Sequence, residues 1–476
     1  MKSLQKIFMR PRNILMIRLV MNENQSIKSK FYVILLVLVM LTGILTLSPA
    51  ISSLMNTYKL VESSGTIVAN EAYAESGSVE DVQAAVDAVV AAGGGTVYIP
   101  EGDFTFEPRD SGLTGPYGRP TGVQFVVPAA GINIFGGGKG VTVLEMPVDD
   151  IAPNVGMFCV TGGYETARAV GGWISGGKLR ISGITFKGRS NIDTSPSGDH
   201  AILLVSVRDF RIDNCEFLCM GSVGIWVQDQ DTQYSIVGGD PDRITQGVVD
   251  HSDFIDMHKP GALAAGRGYG YGIGIGRAMY WEWTYWEDDP WELFGKYEGN
   301  IFVEDCYFTR CRHAVAASSG GTYVLRNSVI EDIAIFASAT TGHPNRATYF
   351  GMLAQEIYNI TIRRTPAGAE ANPNNFFGIL VEGGSALLYN NTFDSCYRAF
   401  DISACESTSG RGDTHPRGHT KEVYIWDNTY INLVTTFNIF AQDCPAPVEG
   451  VEYFLHAPSA EKNYQPYSYP HPLTLG

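Results

Sequence analysis

Residues 210–217 read FRIDNCEF, and seven more eight-residue segments align with this one without gaps. In all eight segments the third and eighth positions are apolar, and the fifth is Gly, Asn, Asp or His. The alternation predicts a short strand, and the fifth position predicts a turn that accepts a left-handed backbone. The other segments are LRISGITF (179–186), GVVDHSDF (247–254), IFVEDCYF (301–308), YVLRNSVI (323–330), QEIYNITI (355–362), ALLYNNTF (386–393) and VYIWDNTY (423–430).

A second short strand follows most of these segments. It carries a small residue and then two apolar residues in alternation, as in HAILL from His200 and FGILV from Phe377. Consecutive second strands start 23 residues apart between His200 and Val223, and 21 apart between Phe377 and Arg398. Such a period is typical of a solenoid, in which each repeat contacts only its neighbours. The sequence therefore predicts an all-β chain with rungs of 21 to 23 residues, interrupted by longer loops.

A β-sandwich or a propeller with regular hairpins is the alternative architecture. Hairpin proteins favour two-residue turns and strictly amphipathic strands. In the strands predicted here the same repeat position faces the core each time, and all strands run in the same direction. We therefore expect parallel strands.

An amphipathic helix is predicted ahead of the repeats, in SVEDVQAAVDAVVAAGGG from Ser78. Ser78 can cap it with Asp81 three residues on, valines share one face, and the glycines end it. The segment GGTVYIPEGDF (94–104) follows. Together with the repeats, these features resemble the pectate-lyase-like superfamily as far as about Phe437. The resemblance implies a single-stranded, right-handed parallel β-helix of about eight or more rungs, whose N-terminal end is covered by the helix.

The N-terminal region predicts export. Seven lysines or arginines and one glutamate in the first thirty residues precede FYVILLVLVMLTGILTL (31–47), which is uncharged. A cleaved signal peptide and a retained membrane anchor both fit this length. We therefore expect a protein that is secreted or held at the cell surface. The predicted divisions are a lead with the signal or anchor (1–54), a tether (55–77), the β-helix (78–440) and an extended tail on the last rung (441–476).

The net charge limits the class of binding partner, and the cysteine count limits the number of disulfides. A net charge of −16 disfavours nucleic acid, because phosphate binding needs a surface of Lys and Arg. Eight cysteines are too few for a disulfide scaffold. We expect a monomer. The cysteines that could form local disulfides, or stay as buried thiols, are Cys215 with Cys219, Cys306 with Cys311, and Cys396 with Cys405.

The second strands place one column of side chains along a surface, because equal positions on successive rungs lie about 4.7 to 4.9 Å apart. The resemblance implies a cleft here, since polygalacturonases carry catalytic Asp and His residues at this register. Their NTD motif is absent, and only Asp199 and Asp401 supply carboxylates near the column. A hydrolase is therefore less favoured than a lyase. The column reads His200, Val223, Tyr271, His313, Phe377 and Arg398.

A lyase needs a cation to neutralise a uronic acid carboxylate and a base near the C5 proton. Arg312 could be the cation, and either His313 or Tyr271 the base. His200 lies three rungs from His313, roughly 14 Å away, and would belong to a distal subsite. The other predicted substrate contacts are Asp199, Arg398, Asp401, His343, Arg346 and four tryptophans in the loop 279–300, Trp281, Trp283, Trp286 and Trp291. These tryptophans could wall the cleft or only pack the loop onto the helix.

A further column carries three successive carboxylates, Asp213, Asp250 and Glu304. They would repel one another unless they are solvated or bridged by a cation such as Ca²⁺. Around Asp250 the sequence resembles the WIDH segment of pectate lyases, which implies a calcium-site region, although Val248 replaces the Trp. A calcium site and an exposed acidic ladder both remain open.

These features predict an exported, polysaccharide-active β-helix. The leading hypothesis is a lyase that cleaves a uronic-acid-containing glycan by β-elimination, with Tyr271, Arg312 and His313 at its centre. The alternative from another class is a non-catalytic surface protein that binds glycan or spaces the cell envelope. A hydrolase or an epimerase also fits the fold, which does not choose among these activities.

Overall fold

The computed structural model describes part of the chain between Asn70 and Leu475. The predicted signal or anchor (1–54) lies outside the described residues. Within the described part, no helix is both long enough and apolar enough to span a bilayer. The described residues are 70–108, 111–114, 120–147, 155–162, 177–189, 199–228, 245–257, 270–276, 290–318, 320–334, 337–342, 352–371, 375–403, 420–440 and 446–475.

The described strands form three sheets, and the strands pair in parallel throughout. Sheet 1 contains, in spatial order, β1 (Glu71–Tyr73), β2 (Gly95–Tyr98), β5 (Ile132–Phe135), β8 (Leu179–Ser182), β11 (Phe210–Asp213), β14 (Gly247–Asp250), β17 (Ile301–Glu304), β20 (Thr322–Arg326), β23 (Ala354–Tyr358), β26 (Gly384–Tyr389), β29 (Thr420–Trp426) and β32 (Tyr453–Phe454). Sheet 2 contains β3 (Gly102–Thr105), β6 (Thr142–Glu145), β9 (Thr185–Lys187), β12 (Glu216–Leu218), β15 (Asp253–Ile255), β18 (Tyr307–Thr309), β21 (Val329–Glu331), β24 (Thr361–Arg363), β27 (Thr392–Asp394) and β30 (Thr429–Ile431). Sheet 3 contains β4 (Thr121–Val126), β7 (Gly156–Thr161), β10 (His200–Val205), β13 (Val223–Gln228), β16 (Tyr271–Gly276), β19 (His313–Ser318), β22 (Ser338–Thr341), β25 (Phe377–Glu382), β28 (Arg398–Ser403) and β31 (Thr435–Phe440).

Each rung visits the three sheets in turn, which makes a right-handed parallel β-helix, as the sequence predicts. The parallel pairings exclude the hairpin architectures. The turn from sheet 1 to sheet 2 is made at the fifth position of the repeat, where φ lies between 50° and 72°. Gly, Asn and Asp tolerate this left-handed backbone best. The residues in this turn are Gly183, Asn214, His251, Asp305, Asn327, Asn359, Asn390 and Asp427.

The inward columns of the repeat form the core. Phe186, Phe217, Phe254 and Phe308 are fully buried and stack with ring centroids 5.4, 4.7 and 4.7 Å apart. Stacked aromatic pairs contribute roughly 0.5–1.5 kcal/mol beyond their buried area. Ring stacking at the eighth position of the repeat therefore holds successive rungs in register.

Helix α1 (Val79–Ala91) packs against the N-terminal end of the stack, and the predicted cap is confirmed. The Ser78 hydroxyl accepts a hydrogen bond from the Asp81 amide, 3.2 Å away. The predicted tether is shorter than 55–77, because Glu71–Tyr73 already pairs with β2. Three residues carry too little pattern to distinguish a strand from a linker. The remaining helical segments are α2 (Pro366–Ala371) and three short 3₁₀ helices, Pro290–Glu292, Ala460–Lys462 and Pro472–Leu475.

The C-terminal tail extends far beyond the last rung, contrary to the prediction. After β32 the chain turns back along the outward face of sheet 1. The Arg326 guanidinium donates to the carbonyls of Tyr467 and Ser468, at 2.7 and 2.9 Å. Nearer the N-terminal end, Arg211 donates to the carbonyl of Thr474, at 3.3 Å. The tail carbonyls therefore add acceptors to guanidinium groups that already bond carboxylates of sheet 1.

Glu356, under the tail, makes stability depend on pH. Its carboxylate accepts from the Tyr464 hydroxyl (2.6 Å) and the Gly295 amide (2.7 Å), but burial outweighs both and raises its pKa to about 7. The folded state therefore holds this proton more tightly than the unfolded state, and the stability that Glu356 contributes falls as pH rises from about 4.5 to about 7. The buried His471 contributes in the opposite direction, because burial lowers its pKa to about 4. The loss is on the order of 3 kcal/mol.

We expect Glu356→Gln to be more stable than the native chain at pH 8, and the difference between the two chains to shrink as pH falls to about 4.5, as measured by urea unfolding of both across the range. Glu461→Gln, an exposed glutamate of the same tail, is the control and keeps the native profile. An unchanged slope in Glu356→Gln would contradict the assignment.

Candidate functional site

A pocket of about 270 Å³ lies on the outward face of sheet 3, towards its C-terminal end. Strands β19, β22, β25, β28 and β31 form it side by side. It brings together four residues predicted from the sequence, Arg312, His313, Arg398 and Asp401. The other lining residues are Ala337, Ser338, Phe377, Leu380, Asn438 and Phe440.

Arg312 and His313 form one end of this pocket, and Tyr271, which does not line it, contacts both of them. Tyr271 pairs with His313 in the sheet, and their rings are 5.2 Å apart between centroids. The Arg312 Nη1 donates to the Tyr271 hydroxyl oxygen, 3.3 Å away. A neighbouring cation favours the ionised form of a phenol, which can take up a proton.

His313 is only 2 % exposed. Its neighbours are polar and aromatic, because Nδ1 lies 2.6 Å from the Ser338 carbonyl oxygen and the ring contacts Tyr271. A carbonyl oxygen can only accept, so Nδ1 carries the proton in this contact. The hydrogen bond fixes the ring orientation. His313 therefore suits a positioning role better than direct contact with a large substrate.

Arg398 and Asp401 form the other end of the pocket. The Arg398 guanidinium lies 4.3 Å from the Phe377 ring centroid and 5.2 Å from that of Tyr397. Its Nε is 3.3 Å from the Asp401 carboxylate, which also accepts from Asn438 at 2.8 Å. Burial raises the pKa of Asp401, and the Asn438 hydrogen bond and the Arg398 charge oppose this less strongly. Aromatic faces beside a cation suit contact with a sugar ring.

The two ends are too far apart to act on one bond. Strand β28 lies three strands beyond β19 in sheet 3, which corresponds to roughly 14 Å. A ligand that touches both Arg312 and Asp401 must therefore be elongated along the β-helix axis.

Asp199 and His200 lie on the same sheet but do not line the pocket. Asp199 is 1 % exposed and accepts two hydrogen bonds from Arg189, each 3.0 Å long, and a third from the Val155 amide. The structure thus gives Asp199 a structural role in place of the predicted substrate contact. His200 is also buried, on β10. The sequence placed both residues in the correct column but could not show what covers them.

The column of Asp213, Asp250 and Glu304 is fully buried, so the predicted exposed ladder is wrong. Each carboxylate bonds an arginine of a neighbouring strand, and these arginines stand where the calcium prediction placed a cation. In the described part of the chain, no group of three His, Cys, Asp or Glu side chains is arranged to hold a metal ion. The pairs are Arg180 with Asp213 (2.8 Å), Arg211 with Asp250 (2.9 Å) and Arg326 with Glu304 (2.7 Å).

Trp291 does not wall the pocket. Its indole nitrogen donates to Glu422, and its ring packs edge-on against Phe294 and Tyr424, on the outward side of sheet 1. The insertion leaves sheet 3 after β16 and enters sheet 1 at β17, so its second half follows sheet 1. The sequence shows which rung the loop interrupts but not which face it covers. The predicted contacts Trp281, Trp283, Trp286, His343 and Arg346 lie outside the described residues.

Of the two alternatives for the cysteines, the structure has free thiols, and Cys405 lies outside the described residues. Cys215, Cys306, Cys311 and Cys396 are buried free thiols. Burial raises the pKa of the Cys215 thiol to about 12. They pack inside the rungs as small apolar side chains.

Sequence reasoning missed Ser338, Asn438 and Phe440. Ser338 begins β22, which breaks the pattern of a small residue followed by alternating apolar residues. Asn438 and Phe440 lie on β31, the second strand of the rung that begins with VYIWDNTY, and this strand does not start with a small residue before its apolar positions. One signal was available, since TTFNIF from Thr435 matches RAFDIS from Arg398 and aligns Asn438 with Asp401.

The fold is the one that the pectate-lyase-like resemblance predicts. No family model matches this chain, and no curated protein sequence matches it either. Among solved structures, an alginate lyase from Paenibacillus sp. aligns with a TM-score of 0.44 and 14% identity, over 78% of this chain and 99% of that chain. A mannuronic acid specific family 6 polysaccharide lyase from human gut microbiota has a TM-score of 0.42 and 14% identity, over 80% and 79%. The A-module of a mannuronan C-5 epimerase from Azotobacter vinelandii has a TM-score of 0.36 and 12% identity, over 80% and 97%.

Proposed function

We propose that this protein binds an acidic polysaccharide along the outward face of sheet 3 and cleaves it by β-elimination. The observation that carries the proposal is the contact between the Arg312 guanidinium and the Tyr271 hydroxyl, 3.3 Å apart, at the edge of the pocket. The apolar segment 31–47 supports export, which would bring the site to an extracellular or surface glycan.

In the proposed reaction Arg312 binds the carboxylate of a uronic acid and stabilises the negative charge that develops when the C5 proton leaves. The Tyr271 oxygen, in its phenolate form, takes that proton, the C5–H bond breaks and a C4–C5 double bond forms. The C4–O bond breaks at the same time, its electron pair stays on the leaving oxygen, and that oxygen takes up a proton from solvent. Tyr271 is favoured over His313 as the base because His313 is almost fully buried.

The alternative is a glycan-binding protein without catalysis. The burial of His313 and the pairing of Arg398 with Asp401 favour this alternative. Both functions share the same ligand class, so a binding assay alone does not separate them.

The test is to incubate the full chain with several polyuronates and with neutral polysaccharides, with and without a calcium chelator. We expect a polyuronate to yield the ultraviolet absorbance of an unsaturated product, and Arg312→Ala to lower kcat/KM by about 10²–10³. Arg310→Ala is the control, because Arg310 is bound to Asp256, a turn residue that does not line the pocket, and should leave activity unchanged. Reducing ends without the absorbance would indicate a hydrolase, and binding without products a non-catalytic protein.

A further inference from the structure

The last rung leaves the C-terminal end of the β-helix open. Strands β30 and β31 end their sheets and, among the described strands, each pairs on one side only. Tyr430 is 38 % exposed, whereas Phe393, at the same position one rung earlier, is fully buried. Val434, in the turn between these two strands, is 67 % exposed. An apolar rung with unpaired strand edges is a template for another chain.

The two ends of the β-helix differ in whether another segment of the chain covers them. Helix α1 closes the N-terminal end, and its valines are buried. The C-terminal tail could have closed the other end, but after Phe454 it turns back along sheet 1 and binds Arg326 and Arg211. Within the described part of the chain, the last rung therefore keeps an apolar surface in solvent.

The charge distribution indicates which kind of partner binds this surface. Soluble proteins usually protect a strand edge with charged residues, but residues 428–440, NTYINLVTTFNIF, contain none. The chain as a whole carries a net charge of −16, so two copies repel each other over most of their surfaces. Asp427, Glu449 and Glu452 lie beside the last strands of sheet 1, so the edges of β30 and β31 are where two such copies can approach at the lowest electrostatic cost.

We propose that the C-terminal end of the β-helix is an interface with a second copy of this chain. A two-fold axis at this end brings the last strands of one copy against those of the other, so one patch serves both copies. Strands related in this way run antiparallel and can pair without a connection. The contact buries Tyr430, Ile431 and Val434 and satisfies the open strand edges. It replaces the monomer that the sequence alone predicts.

The test uses the full chain and two cysteine variants, Val434→Cys at the open end and Val141→Cys near the N-terminal end, where Val141 is 39 % exposed. The described native cysteines are mostly buried, so an added surface thiol reacts faster with a bis-maleimide crosslinker. We expect Val434→Cys to give covalent dimers, and Val141→Cys and the unmodified chain to give few. Sedimentation should show a dimer for the unmodified chain and for Val141→Lys, but a monomer for Val434→Lys.

Three results would overturn the interface. One is a single-chain mass for the unmodified protein. Another is equal crosslinking at positions 434 and 141, which would show that the copies associate elsewhere, for example through the N-terminal apolar segment. The third is a monomer in which the thiol at position 434 is shielded from maleimide, which would show that another segment of this chain covers the end.

Discussion

Replacing Arg326 with alanine is expected to lower the free energy of unfolding by about 3–5 kcal/mol. Arg326 is fully buried and donates to Glu304 at 2.7 Å, to the Tyr358 hydroxyl at 3.0 Å and to the carbonyls of Tyr467 and Ser468. Alanine leaves the Glu304 charge buried without its cation and removes the donors that hold the tail. Urea unfolding measures the loss, and limited proteolysis should show faster cleavage within the tail.

Arg363→Ala is the matched control for this prediction. Arg363 also bonds a glutamate, Glu331, but its side chain is half exposed, so we expect a loss of about 0–1 kcal/mol. The double variant Arg326→Met with Glu304→Gln removes both charges and should recover much of the stability lost in Arg326→Ala. If Arg326→Ala loses no more than Arg363→Ala, the buried pair does not hold the tail as described.

Tyr271→Phe is expected to lower kcat by about 10²–10⁴-fold on the polyuronate that the protein cleaves. The substitution removes only the hydroxyl that lies 3.3 Å from Arg312, while the ring keeps its packing against His313. KM should change little, because Arg312 and Arg398 still line the pocket. Initial rates of unsaturated product formation give both constants.

The control for this prediction is Tyr307→Phe. Tyr307 loses a comparable hydroxyl, bonded to Glu331 on sheet 2, and activity should stay at the native level. His313→Gln separates the two candidate bases. If Tyr271→Phe keeps full activity while His313→Gln loses it without unfolding, the base is His313 and not Tyr271.

The fold was predictable because its signals are local and repeated. The fifth position of each segment adopts positive φ wherever Gly, Asn, Asp or His stands, and the third and eighth positions face the core. The column of the second strands was predictable for the same reason, since equal register becomes adjacency in a parallel sheet. Tyr271 and His313 therefore lie side by side as expected.

The candidate site was predicted less completely. The column contains His313 and Arg398, Arg312 and Asp401 flank it, and the pocket contains all four. The pattern could not distinguish these four residues from Asp199. Asp199 lies on the same face but is bonded to the buried Arg189. Whether an outward side chain is exposed depends on the chain that crosses above it, and the repeat carries no information about that chain.

By itself, the amino-acid sequence determined the rungs, their turns, their inward columns and the outward column that bears Tyr271 and His313. Each of these follows from residue types at fixed spacing, because a strand alternates its faces and a left-handed turn selects few residues. Only the tertiary structure decided that the tail covers sheet 1, that Trp291 packs there and that the acidic column is neutralised. These outcomes depend on contacts between distant segments, such as Arg326 with Ser468, 142 residues apart, and no local pattern specifies them.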